Sequence, residues 1–181
     1  MVSTENYKLF TPVKLGDNLE LKNRIVFGPL SRGRANADRV PSENNEIYYE
    51  QRAGAGLIIS EGTAVSEQGY GWYHAAASNG YLIDQFLQSA TNKRTDKPHL
   101  RVPLLQTTTI PDTAEGVVRS GAADLVGFGR LYITNPDLAE RFQNDWPVEP
   151  TAGHEVYYNS ALGGKFYNDY ATYQANNKLE G

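Results

Sequence analysis

Short apolar runs alternate with amphipathic stretches along most of the chain, and the spacing of each run predicts its element. Val13-Lys14-Leu15 and Leu19-Glu20-Leu21 alternate apolar with polar residues around Gly16-Asp17-Asn18, which predicts a short hairpin with a tight turn. Ile25-Val26-Phe27-Gly28 is continuously apolar and stops at Pro29, the pattern of a buried strand. Ser42 has the chemistry of an N-cap, and Glu43 and Glu46 follow it at the positive end of a helix expected to reach Ala53 and stop at Gly54. Leu57-Ile58-Ile59-Ser60 reads as a second buried strand, and the glycine-rich stretch from Glu61 to Ala77 reads as a loop. Residues 82, 83, 86 and 87 are apolar at helical spacing, and the polar stretch from Gln88 to Leu100 reads as surface loop.

Val102 to Leu105 forms a further strand expectation, with Pro103 inside it. Asp112-Thr113-Ala114-Glu115 after Pro111 predicts a helix that ends near Ser120, with Gly121 as its C-cap. Asp124 to Phe128 is the next strand, and Asn135-Pro136 places an N-cap and a first-turn proline before a helix reaching Phe142. The polar residues 1–10 read as a frayed end, and Trp146 to Gly181 as a packed tail that carries five of the twelve tyrosines in its last 25 residues. Strand–helix alternation with short connections implies a parallel sheet with right-handed crossovers.

Composition narrows the function classes. With 40% hydrophobic and 21% charged residues, the chain is a globular one, and 181 residues predict a single domain. That length is short of the about 250 residues of a closed eight-stranded α/β barrel. The net charge of −4 and the absence of a Lys/Arg stripe argue against nucleic acid. The chain has no cysteine, so disulfides, iron–sulfur clusters, zinc–thiolate sites and a Cys nucleophile are excluded. Its apolar runs are too short for a membrane span and residues 1–10 lack a signal core, so the expected location is cytoplasmic. His74, His99 and His154 sit in no metal-ligand spacing and in no Ser-His-Asp arrangement.

One segment carries chemistry on its own terms. Gly127-Phe128-Gly129-Arg130 follows a buried strand, where glycines allow a close backbone approach to an anion and arginine adds bidentate donors. A tight turn with an exposed arginine is the alternative at this point.

The wider pattern is more specific. Gly121 through Leu138, containing Asp124-Leu125-Val126-Gly127-Phe128-Gly129-Arg130 and Asn135-Pro136, resembles strand 8 and its following loop in the Old Yellow Enzyme family. Leu9-Phe10-Thr11-Pro12 through Asn23-Arg24-Ile25-Val26-Phe27-Gly28-Pro29-Leu30-Ser31 is similar to that family's N-terminal hairpin and strand 1. Tyr49 to Thr63 resembles helix 1 and strand 2, and Asn79-Gly80-Tyr81 with Asn92 to Asp96 resembles the stretch after strand 4. The family consists of FMN-dependent NAD(P)H oxidoreductases, commonly ene-reductases, on a (β/α)8 barrel. The resemblance implies FMN as cofactor, NADPH or NADH as hydride donor and an enone-type small molecule as substrate. It places Pro29, Leu30 and Ser31 at the flavin N5 and O4 edge, Gly62 at the ring edge, Gly127, Gly129 and Arg130 at the phosphate, and Tyr158 in an aromatic pair with Tyr157. It makes Asn79 the partner of the substrate carbonyl and Tyr81 the proton donor. Each residue has a plain structural alternative: Pro29 as a strand stop, Asn79-Gly80 as a turn, Tyr81 and Tyr158 as packed aromatics.

The departures set the fold expectation. Strand 3 with its Gln-Leu-Trp-His motif, the body of strand 4, and strands 5 and 6 are missing; Ala76 stands at the family's histidine, and Thr107-Thr108 replaces the Gly-Gly that ends strand 7. The expected architecture is therefore an α/β, incomplete TIM-type barrel. It keeps strands equivalent to 7-8-1-2 as a parallel half-barrel with an N-terminal hairpin, all in one domain. Within that domain, 1–63 carries the hairpin, strand 1, helix 1 and strand 2, 64–101 is a shortened connection, 102–145 runs from strand 7 to helix 8, and 146–181 is the tail. Open strand edges suit a homodimer. A non-catalytic remnant or an interaction module that has lost flavin is the competing expectation.

Overall fold

A computed structural model describes residues 4–71, 73–77, 104–105 and 111–174. β1 (Val13–Leu15) and β2 (Leu19–Leu21) pair as the expected antiparallel hairpin, with Gly16 at φ +67° supplying the turn. β3 (Ile25–Phe27), β4 (Leu57–Ile58), β5 (Leu104–Leu105) and β6 (Val126–Phe128) form a parallel sheet of four strands in the order β4-β3-β6-β5. Strands late in the chain thus lie beside an early one. The helices are α1 (Glu43–Glu50), α2 (Pro111–Arg119), α3 (Leu131–Thr134) and α4 (Leu138–Gln143), with 3-10 turns at Thr4–Asn6 and Lys8–Phe10 before the hairpin, at Glu67–Gly69, and at His154–Val156 and Ser160–Leu162 in the tail.

The sheet register sorts the strand residues onto two faces. Ile25, Phe27, Val126 and Phe128 join the main core, where Tyr48 of α1, Val118 of α2 and Phe142 of α4 pack on them. Tilted and edge-on ring pairs fill this layer: Phe27 lies 4.9 Å from Tyr132, and Phe128 lies 5.1 Å from Phe142, centroid to centroid. Val26 and Leu125 point to the other face, where Leu21 of the hairpin closes over them with Val13, Leu15 and Leu57 alongside. The hairpin therefore plugs one end of the sheet. Gly56 lets β4 approach β3, because a Cβ there would collide with the Asn23 carbonyl.

The helix starts follow their caps. Asn45 reaches back to accept from the Ser42 backbone N–H at 2.8 Å, fixing the first turn of α1. Pro111 opens α2, and Gly121, at φ +75°, adopts the left-handed conformation that ends it.

Several local expectations are corrected. Residues 4–10 are not frayed: Leu9 is fully buried, its N–H donates to Glu115 Oε2 at 2.9 Å, and the Tyr7 hydroxyl donates to Asp112. Long-range hydrogen bonds to α2 hold a segment whose own pattern is polar. α1 ends at Glu50 and continues to Gly54 as turns. β4 is two residues long and half-buried, because it lies at the described sheet edge, and Ile59 beyond it is 41% exposed. β6 starts at Val126 rather than Asp124. Asn135 does not cap α4, whose N-cap is Asp137. Its amide instead donates to Leu131 O and Glu149 O and accepts from the Glu149 N–H, tying α3 to the start of the tail. The expected helix at 82–87, with Asn79, Tyr81 and Thr107-Thr108, lies outside the described residues.

Candidate functional site at the carboxyl end of the sheet

In parallel α/β sheets the strand carboxyl ends gather the variable loops and the ligands. Here three such loops meet. The Gly28 N–H donates to Phe128 O at 2.9 Å, carrying the β3–β6 pairing one residue past β3 before Pro29 removes the next donor. Leu30 then leans against Gly129, so close that a Cβ on Gly129 would lie 3.5 Å from Leu30 Cδ2. Ser31 faces the loop after β4, and a Cβ on Gly62 would meet only the Ser31 Oγ, at 3.9 Å. A cleft of about 50 Å³ opens between these loops and the tail. Leu30, Ser31 and Arg32 line one wall, Arg130 and Ile133 a second, and His154, Tyr157 and Tyr158 the third. Among the described residues no hydrogen bond or ion pair engages the Arg130 guanidinium, which is exposed at the cleft.

Behind the cleft stands a cluster of buried cations without a matching set of carboxylates among the described residues. Arg32 is 1% exposed and donates from Nε to Tyr157 O (3.1 Å), from Nη1 to the Tyr48 hydroxyl (3.0 Å) and from Nη2 to Phe166 O (2.9 Å). Arg34 donates to Gly163 O (3.0 Å) and Val156 O (3.2 Å), both in the tail. Arg52 donates to Tyr132 O (2.9 Å), Ile133 O (3.0 Å) and Tyr48 O (2.8 Å), and its guanidinium lies 3.6 Å from the Tyr48 ring centroid. A buried cation is tolerable only where its donors are met, and here free backbone carbonyls of irregular segments meet them. Burial, and secondarily the repulsion between Arg34 and Arg32, holds the Arg34 pKa below the ordinary arginine value; burial does the same to Arg52. Tyr48 also stacks on Tyr167 of the tail, centroids 4.1 Å apart and nearly parallel.

Glu61 is the carboxylate nearest this cluster and is 5% exposed. Its Oε2 accepts from the Arg32 N–H at 3.2 Å and the Gly33 N–H at 3.4 Å, while its own N–H donates to the Tyr49 hydroxyl at 2.9 Å. Burial pushes the Glu61 carboxyl above its usual range, against the pull of those two N–H donors and of the Arg32 and Arg34 charges.

The sequence-derived candidates distribute unevenly. Leu30, Ser31, Arg130 and Tyr158 line the cleft together. Gly62 and Gly129 adjoin it through Ser31 and Leu30. Pro29 is exposed at the turn into the loop, and Gly127 lies inside β6, opposite Val26 in register. Asn79 and Tyr81 fall outside the described residues. His74, at φ +55°, turns its Nδ1 to the Ala35 and Asn36 carbonyls at 3.1 and 3.2 Å, which is a structural use. The sequence pattern does not single out Arg32 or Arg34; it offers Glu61 only as an acidic strand-end residue explained by a helix contact or a solvated loop, and His154 only as a histidine outside any motif, yet the structure sets both at or beside the cleft. The Arg-Gly-Arg triplet directly after Ser31 was the available signal, since two charges beside a strand end demand either solvent or partners. No group of three or more His, Cys, Asp or Glu among the described residues is placed to hold a metal ion, and no helix among them is long and apolar enough to cross a membrane.

Comparison with known proteins places this geometry. Residues 8–77 match the model of the NADH:flavin oxidoreductase / NADH oxidase family. The chain is 46% identical over 65 residues to a putative 12-oxophytodienoate reductase 3 of Oryza sativa subsp. japonica, covering 35% of this chain and 16% of that protein. It is 41% identical over 70 residues to a chanoclavine-I aldehyde reductase of Penicillium roqueforti, covering 38% of this chain and 19% of that one. A probable NADPH dehydrogenase of Candida albicans is 44% identical over 64 residues, or 34% and 16% of the two chains. The matched stretches thus span less than a fifth of these relatives. Among solved structures, the Old Yellow Enzyme homologue of Zymomonas mobilis superposes with a TM-score of 0.69 at 21% identity, covering 91% of this chain and 99% of that one. Morphinone reductase superposes with a TM-score of 0.71 at 18% identity, covering 96% and 98%. At these identities the structural likeness speaks for the fold, and the neighbours are TIM barrels of which the small parallel sheet seen here resembles a part.

Proposed function

Through residues 8–77 the chain belongs to the Old Yellow Enzyme family, and on that premise we propose that it binds FMN at the carboxyl end of its sheet and serves as an NAD(P)H-dependent oxidoreductase of activated alkenes such as enones. The observation that carries the reading is the meeting of the loops after β3, β4 and β6, which sets Ser31 beside Gly62 and Leu30 beside Gly129, with the Arg130 guanidinium uncommitted among the described residues at the same cleft. In this reading β3, β4, β5 and β6 stand for barrel strands 1, 2, 7 and 8. The sheet order supports it, because a closed barrel likewise lays its last strands against its first.

The residues present fit the anionic end and one ring edge of the cofactor. Gly127 within β6 and Gly129 just after it add no side chains there, and Arg130 offers a planar set of donors matched to phosphate. Ser31 presents a hydroxyl donor to the pyrimidine carbonyl edge, Pro29 and Leu30 give an apolar wall beside it, and Gly62 leaves room for the ring margin. Tyr158, 41% exposed, supplies an aromatic face. Bound flavin would supply hydride transfer between NADPH or NADH and the alkene, chemistry that belongs to the cofactor rather than to the protein. Asn79 would hold the substrate carbonyl and Tyr81 would deliver the proton to the adjacent carbon.

A second reading has its own observation. The cleft holds only about 50 Å³, room for a phosphate or a ring edge rather than a whole mononucleotide, and β4 and β5 are the outer strands of the described sheet. A family remnant without flavin, or a chain that pairs through its strand edges with another, would look the same. Titration with FMN separates the two readings. The first expects a yellow complex with a shifted flavin band, bleached by NADPH, and a drop in FMN affinity of about tenfold or more in Arg130→Ala, as for a lost charge-assisted bidentate contact. Flavin that elutes freely from the wild-type chain establishes the second, and the mass measured in solution then reports whether strand edges pair.

A further inference from the structure

We propose that Glu61 is a positioning residue whose carboxylate fills a backbone anion nest in the loop after β3, and by doing so sets Ser31 against Gly62 at the cofactor edge. The inference rests on the functional reading above for its consequence, but the nest itself is a feature of the chain.

The geometry is as follows. Successive N–H groups of Arg32 and Gly33 converge on a single oxygen, Glu61 Oε2, at 3.2 and 3.4 Å. Successive amides converge in this way when one residue of the pair adopts left-handed backbone, and Gly33 does so at φ +62°. Gly33 is also the residue the place demands, since a Cβ there would lie 2.9 Å from the Tyr73 carbonyl. The ligand of this nest comes from the chain itself, one residue before Gly62 in the loop after β4.

The consequence follows from connectivity. Ser31 is one peptide bond from the first nest amide, and Gly62 is one peptide bond from the nest's ligand. Closing the nest therefore fixes the two sides of the flavin edge to each other without either side chain touching the cofactor. A third tie sets the depth of the assembly, as the Glu61 N–H donates to the Tyr49 hydroxyl of α1 at 2.9 Å. The guanidinium groups of Arg32 and Arg34 stay with the tail carbonyls and the Tyr48 hydroxyl, so the carboxylate's partners here are backbone donors. A backbone nest accepts any small anion of the right size, which makes this arrangement open to chemical rescue.

The test compares wild type, Glu61→Ala and Glu61→Gln in the full chain, with and without added formate. Without FMN, the backbone amide resonances of Arg32 and Gly33 are expected to move strongly upfield in Glu61→Ala and to return toward their wild-type positions as formate is titrated in. With FMN, Glu61→Ala is expected to bind the cofactor about tenfold more weakly, with formate restoring most of the loss. Glu61→Gln keeps the packing and an acceptor oxygen but weakens both N–H bonds, and is expected to lose about threefold, so the proposal stays testable if the alanine variant fails to fold. Amide resonances that ignore the substitution overturn the nest. A nest that responds as described while FMN affinity stays at the wild-type value in both variants overturns the positioning role. A wild-type chain that takes up no FMN defeats the functional reading and with it that role, whereas the amide signals still decide on the nest.

Discussion

The two ends of the four-stranded sheet are both closed, and by opposite chemistry. At the amino end the hairpin lays Leu21 over Val26 and Leu125, with Val13, Leu15 and Leu57 around them, an apolar plug without a charged side chain in it. At the carboxyl end the tail is drawn down by Arg32 and Arg34, whose guanidiniums reach carbonyls of Tyr157, Val156, Gly163 and Phe166. Apolar closure is roughly indifferent to direction and tolerates repacking. Closure by guanidinium forks is directional: each donor must meet a particular carbonyl, so the tail has one register. The molecule thus places the buried forks of Arg32 and Arg34 at the end that carries the candidate site; at the other end the half-buried Arg24, donating to Asp124 O at 3.0 Å, only borders an apolar plug.

The largest expected effect comes from breaking the exacting end. Arg32→Ala leaves the carbonyls of Tyr157 and Phe166 and the Tyr48 hydroxyl without their donor in a buried layer. Such orphaned acceptors cost about 1–3 kcal/mol each, so a loss of about 4 kcal/mol is expected in denaturant unfolding. Arg32→Lys should recover little of it, because one ammonium cannot span the separated acceptors. Equal stability of Arg32→Lys and wild type would remove the distinction between the two ends.

Leu125→Ala breaks the forgiving end. Leu125 is fully buried, and the substitution is expected to cost about 3 kcal/mol, within the range for buried leucines. The contrast lies in the repair: Leu125→Met should return to within about 1.5 kcal/mol of wild type, since apolar volume is what the plug needs. Near-ultraviolet circular dichroism of the tyrosines should change in Arg32→Ala and stay near wild type in Leu125→Ala, because Tyr48 and Tyr167 stack beside Arg32 and no aromatic residue belongs to the plug.

The sequence announced the apolar end more openly than the polar one, and the physics explains why. Strand and hairpin patterns are local: Val13-Lys14-Leu15 and Ile25-Val26-Phe27 each declare their face in three residues, and the parallel order follows from the strand–helix alternation. Arg32 and Arg34 are buried by carbonyls more than 120 residues away along the chain, and the local Arg-Gly-Arg triplet calls for solvent or partners without saying which. Leu9 is the same case in reverse, an apolar residue in a polar stretch, buried by contacts with α2 that begin 106 residues later. Asn135 shows a local signal losing to a distant one, since Asn-Pro is sound capping chemistry and yet the amide serves Glu149. Ser31, Leu30 and Arg130 were legible because they sit at strand ends, where the fold rule itself points; Glu61 was not, because its partner is a pair of backbone N–H groups.

The smallest effect at neutral pH, and the one that sharpens the comparison most selectively, is alkaline. Burial raises the Tyr49 hydroxyl from 10.0 to about 12, against the Glu61 N–H bond that lowers it. Burial also pushes Tyr132 and Tyr167 upward, in Tyr167 with added repulsion from Tyr48 and Glu61. All three lie toward the carboxyl end, and the apolar plug contains no group that titrates. A hydroxyl whose pKa is higher folded than unfolded contributes stability that is fully present below the unfolded value and is lost as pH rises through the folded one. Stability should therefore be flat with respect to these groups below pH 10 and fall between 10 and about 12 as the unfolded chain gives up protons that folded Tyr49 retains. Tyrosinate absorbance during a pH titration is expected to include a delayed second step, from the buried hydroxyls of Tyr49, Tyr132 and Tyr167, that coincides with loss of the tertiary dichroism. Tyr49→Phe should diminish that second step and make the fall in stability shallower, while Leu125→Met should leave its position on the pH axis where it is. A single smooth titration of all tyrosines, with no step tied to unfolding, would mean that the polar end opens to solvent as readily as a surface loop, and that its directional contacts do not hold the tail in place.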